Sequence, residues 1–84
     1  MTNEEYMAAI LHFERLSKRM GIDLFQKYEE TIIKTTLNSI MEWKEKGISV
    51  VSMLNDPLVE MSTHLGIIIA ELAREWIRQE VKKS

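Results

Sequence analysis

Apolar residues recur along this chain at helical spacing. At roughly 100° per residue, Tyr6, Ala9, Ile10, Phe13, Leu16 and Met20 fall on one side of a first segment. Met7 and Leu11 lie at the edge of that side, and Glu4, His12, Arg15 and Arg19 lie opposite. Thr2 or Asn3 is placed to cap its start, where Glu4 and Glu5 suit the positive end of the helix dipole. In a second segment Phe25, Ile32, Ile33, Thr36, Leu37, Ile40, Met41 and Trp43 cover about half the circumference. Lys27, Lys34, Asn38, Glu42, Glu45 and Lys46 cover the rest, and Asp23 with Gln26 resembles a capping box.

Glycine and proline divide the chain. Gly21 and Gly47 each follow a long periodic segment, as a glycine just beyond a helix C-terminus does. Asp56-Pro57 reads as an N-cap followed by a first helical residue. Between Gly47 and Asn55 the valines favour a strand, but no other segment could pair with one, so a short helix opened by Ser49 is expected to plug one end of the core. The prediction is an all-α single domain over residues 1–84. It has three long helices, at about 3–20, 24–46 and 57–82, and a short one at about 49–55.

The last helix carries more apolar surface than one buried face requires. Leu58, Met61, Leu65, Ile68, Leu72 and Trp76 form a strip of large side chains. Ser62, Gly66, Ala70 and Ala73 form a strip of small ones, edged by Val59, Ile69, Ile77 and Val81. Together they span about 220°, against the arc of about 100° or slightly more that a single buried face needs. Glu60, His64, Glu71, Arg74, Glu75, Arg78 and Lys82 form the polar remainder. Two arrangements fit. The helix is either the centre of its own monomer, or its large strip faces the monomer core while its small strip faces a second subunit. The second is favoured by a helix length of about 39 Å against a compact-domain diameter of about 30 Å. Gly66 points the same way, because mid-helix glycine costs about 1 kcal/mol against alanine. The candidate interface is Val59, Gly66, Ile69, Ala70, Ala73, Ile77 and Val81.

Composition narrows the function classes. Eighty-four residues without cysteine allow one small core with no disulfide or thiolate chemistry, and with six methionines they point to a reducing cytosol. The opening "TNEEY" is acidic and polar, so no signal peptide is expected, and the uncharged run Met61–Ala70 falls far short of the ~20 residues a membrane-spanning helix needs. A net charge of −2 does not suit phosphate binding, and the basic end "RQEVKKS" is where a helix dipole favours cations anyway.

Candidate chemistry is sparse. His64 has Glu60, Glu71 and Glu75 near its face, but the di-iron pattern of helix bundles wants glutamate three residues before the histidine, where Met61 stands. His12 lies on a polar face near Glu5 and Arg19, and neither histidine has the companions of a nucleophilic site. The three glycines are too far apart to form a phosphate loop. No catalytic, metal or cofactor site is expected. Trp43 and Trp76 sit on apolar arcs, where core packing is their default role, as it is for most of the methionines. In "RLSKRMGIDLFQKYEET", Ser17, Gly21 and Ile22 resemble the helix-turn-helix of many repressors, although Lys27 stands where that motif buries an aliphatic side chain. The resemblance implies a DNA-binding regulator that reads DNA with the helix after Gly21. The favoured expectation is a small non-enzymatic interaction protein, a regulator or inhibitor. It would dimerise through its C-terminal helix and dock on another protein, with no membrane and no nucleic acid involved.

Overall fold

A computed structural model of the chain describes residues 1–83. It is all-α. The elements are α1 (Asn3–Met20), α2 (Ile22–Lys27), α3 (Glu29–Glu45), α4 (Val50–Leu54) and α5 (Pro57–Lys83). Three are long, and the short α4 falls where the chain lacks regular long-range periodicity.

Local chemistry sets the boundaries. Thr2 caps α1 through a full capping box: the Glu5 N–H donates to Thr2 Oγ1 (3.1 Å), and the Thr2 N–H donates to Glu5 Oε1 (2.8 Å). At the end of α3, the Gly47 N–H donates to the Lys44 carbonyl and the Ile48 N–H to the Trp43 carbonyl. That paired closure requires the positive φ of Gly47 (71°), which a side chain would strain. Ser49 Oγ accepts from the Ser52 N–H, and Asp56 Oδ1 accepts from the Leu58 N–H ahead of Pro57.

The second predicted helix is broken in two. Tyr28 leaves helical geometry (φ −111°, ψ 14°) and separates α2 from α3. The kink lets Leu24, Phe25 and Tyr28 fold back onto Leu16, Ile32 and Ile67. A continuous helix would carry them past that cluster. Helix α2 begins at Ile22 directly after Gly21 with no side-chain cap, so Asp23 and Gln26 form no capping box.

The core is two small clusters joined by Phe13. One holds Ala8, Ala9, Ile40, Val50 and Leu54, with Trp43 and Val51 against it. The other holds Leu16, Tyr28, Ile32 and Ile67, with Met20, Leu24 and Phe25 against it. Val50 and Leu54 therefore do plug one end.

The orientation of the helices departs from the periodicity. On α1 the buried residues are Glu5, Ala8, Ala9, His12 and Leu16, whereas Tyr6, Met7, Ile10 and Leu11 are exposed. Helix α1 is rotated so that part of its charged side faces inward. His12, expected on the polar face, is only 1% exposed. On α3, Ile32, Thr36 and Ile40 are inside, but Ile33, Leu37 and Met41 are outside. Among the methionines, only Met20 and Met53 are half-buried, so methionine is mainly a surface residue here.

Acid should weaken this fold first through His12 and then, in stronger acid, through carboxylates such as Glu5. Burial pushes the His12 imidazole below its ordinary value of 6.5, and the nearby Arg15 guanidinium acts in the same direction. The unfolded chain then takes up that proton first. The stability contributed by neutral His12 is complete above pH 6.5 and is lost as pH falls from there through the lowered value. The Thr2 backbone N–H, and after it Lys44, hold the Glu5 carboxyl below its ordinary value of 4.5, so its contribution fades only in stronger acid. Urea midpoints measured from pH 7.5 to 5.0 should fall in wild type and fall less in His12→Gln.

Candidate interaction surface on the last helix

Helix α5 is 27 residues long, about 40 Å. It meets the rest of the chain through its polar side. Glu60 and Ile67 are its buried residues, with Val59, Thr63, His64, Ala70 and Glu71 half-buried around them. At roughly 100° per residue these lie on one arc.

Ile67 packs into the cluster of Leu16, Tyr28 and Ile32, and charged groups orient the contact on either side of it. The Glu60 carboxylate receives Arg19 Nε at 2.6 Å and Arg15 Nε at 3.4 Å, while Arg15 Nη2 donates to the Leu54 carbonyl (2.9 Å) and to Asn55 Oδ1 (3.3 Å). Arg15 thereby ties α1 both to α5 and to the end of α4. One helical turn beyond Ile67, Glu71 pairs with Lys27 at 3.2 Å. Arg74 then lies over the Tyr28 ring at 5.3 Å from its centroid, with Lys27 at the same distance. From Leu72 to Lys83 every residue is exposed, and past Arg74, which lies over Tyr28, the last third of α5 projects beyond the body. The projection explains extents of 50 × 27 × 20 Å and a radius of gyration of 15.0 Å, where a compact chain of this length would have about 12 Å.

The large apolar strip is therefore on the far side of α5 from its own chain. Leu58, Leu72 and Trp76 are 64%, 65% and 64% exposed, and Met61, Leu65 and Ile68 are exposed as well. The expectation that this strip faces the monomer core is overturned, as is the core role of Trp76. The physical reason is that Glu60, Glu71 and Arg74 have partners on α1, α2 and Tyr28, and satisfying them turns the opposite arc outward. Of the seven candidate interface residues, Gly66, Ile69, Ala73, Ile77 and Val81 are exposed, and Val59 and Ala70 are half-buried. A Cβ at Gly66 would meet open space within the chain, so this glycine serves no close approach in the monomer.

The remaining sequence candidates resolve differently. Glu60 and Glu71 are committed to cations, and among the described residues no group of three or more acidic or histidine side chains is placed to hold a metal ion. In the helix-turn-helix-like stretch, Ile22 is 63% exposed, and α2 has only six residues. Ile22, Phe25, Ile10 and Phe13 instead line an open apolar groove between α1 and α2, with Glu14 and Lys18 at its rim. Among the described residues no helix is long and apolar enough to cross a membrane. Comparisons with family models, curated proteins and solved structures yield no match to this chain.

Sequence reasoning missed Arg15, Arg19 and Glu60 as a cross-helix junction. Their shared presence on "polar" faces was legible, but their pairing over forty residues of sequence was not.

Two substitutions test the layout. Glu60→Ala leaves two guanidinium groups without their carboxylate. Because both arginines are partly solvated, the cost should be about 1–2 kcal/mol rather than that of a fully buried pair, read from urea denaturation. Gly66→Ala should raise stability by about 0.5–1 kcal/mol, since the added methyl meets no neighbour in the chain.

Proposed function

We propose that this chain is a small non-enzymatic interaction protein that self-associates through α5 and acts as a regulator or inhibitor by docking on another protein. The observation that supports this reading is the outward strip Leu58–Met61–Leu65–Ile68–Leu72–Trp76, with Ile69 beside it. Exposed apolar side chains scattered singly need no explanation, whereas a contiguous strip along a helix marks an interaction site. Its own chain covers the strip only in part, with Leu24 beside Ile68 and Leu72, and the strip continues onto the projecting third of the helix.

The balance of forces supports the same reading. The body contributes a small apolar core and holds α5 with ion pairs that water partly screens. Covering the strip adds the hydrophobic term that the monomer leaves unused. A cysteine-free chain suits the reducing cytosol in which we place it.

Leu65→Glu puts a charge in the middle of the strip without touching the body. It should weaken self-association by about two orders of magnitude, equivalent to about 2.7 kcal/mol. Multi-angle light scattering across a dilution series should show a dimer for wild type and a monomer for the variant, with equal helical content by circular dichroism. A wild type that stays strictly monomeric at high concentration would remove the basis of the proposal.

A further inference from the structure

The geometry points to a second copy of this chain as the occupant of the α5 strip, with the two α5 helices antiparallel. This rests on the self-association proposed above and specifies the face of α5 that it uses and its orientation.

Surface area is the first ground. The accessible surface is 6105 Å², where a compact monomer of 9.9 kDa is expected to expose about 5,200 Å². The excess, roughly 900 Å², is close to the ~800 Å² that each partner contributes to a standard stable interface.

Spacing is the second. Leu58, Met61, Leu65, Ile68 and Leu72 follow one another at intervals of three, four, three and four residues. This is the alternation by which one helix packs into the side chains of another as a coiled-coil seam. The seam lies opposite the arc occupied by Glu60, Ile67 and Glu71, so the body of each chain sits on the side of α5 away from the helix pair.

Charge decides the direction. Continued past Leu72, the seam positions fall on Glu75, Gln79 and Lys82. A parallel, in-register pair would set Glu75 against Glu75 and Lys82 against Lys82, and like charges facing across a seam are unfavourable. It would also leave the last third of both helices projecting together without a body on either. The antiparallel pair avoids the first problem and reduces the second. It centres near Gly66 and Ile67, sets Leu65 against the second copy's Ile68 and Met61 against the second copy's Leu72, and brings each Trp76 over the other helix's Pro57–Leu58 end. The exposed start of each α5 then covers the other helix as far as Trp76, and opposed helix dipoles add a small favourable contribution.

The absence of cysteine makes the test clean. Single variants Leu58→Cys, Leu72→Cys and Glu75→Cys are prepared, all at exposed positions that leave the fold intact, as circular dichroism verifies. Each is oxidised under mild copper–phenanthroline conditions, alone and in mixtures equilibrated before oxidation. Antiparallel pairing predicts little disulfide dimer from Leu58→Cys or Leu72→Cys alone, and at least fivefold more from Leu58→Cys mixed with Glu75→Cys. Strong self-linking of Leu58→Cys and of Leu72→Cys, with wild type dimeric by light scattering, would overturn the antiparallel arrangement while leaving self-association through α5 standing. A wild type that is monomeric at all concentrations would overturn both.

Discussion

The structure depends on one polar junction. Glu60 on α5 receives Arg15 and Arg19 from α1, beside the buried His12, and Arg15 continues the junction to the end of α4. A carboxylate this enclosed is costly to desolvate unless cations and hydrogen bonds replace its water. Once α5 is attached to α1, those partners fix the rotation of both helices about their axes. The remaining polar contacts, Lys27 with Glu71 and Arg74 over Tyr28, follow the same arc of α5.

Fixing the rotation through charge has a consequence for apolar surface. A helix has one circumference, and the arc given to ion pairs is taken from packing. On α1, Tyr6, Met7 and Leu11 are turned outward, and on α5 the whole large strip is. The chain keeps two modest clusters bridged by Phe13 and leaves a surface well above that of a compact monomer. Ion pairs with partly solvated arginines contribute little net stability, so what they supply is orientation. Apolar burial supplies most of the stabilisation in folding and association, and here much of the means for it faces away from the chain. The proposed association through α5 would draw on that division of labour.

How legible the fold was in the sequence varied by element. The starts of α1, α4 and α5 were readable from Thr2, Ser49 and Asp56-Pro57, and the ends of α1 and α3 from Gly21 and Gly47. In each case the deciding hydrogen bonds lie within a few residues. The break at Tyr28 was not readable, because nothing in its neighbourhood forbids a helix. It exists to place Leu24, Phe25 and Tyr28 on Leu16 and Ile67, which are distant in sequence. Excess apolar arc on the last helix was correctly visible as a quantity, but the side of α5 that the rest of the chain would use was not. Periodicity separates polar from apolar arcs, yet it treats a charge that will be solvated and one that will be paired across helices alike.

The sequence by itself determined the helical type of the elements, their outer limits apart from the break at Tyr28, and the surplus of apolar surface on α5, because caps, glycine conformations and the 3.6-residue repeat act locally. Only the tertiary structure decided which arc of each helix is inside. That choice depends on Arg15, Arg19 and Glu60 meeting across some forty residues of chain, where charge complementarity between distant segments outweighs the apolar preference of each segment considered alone.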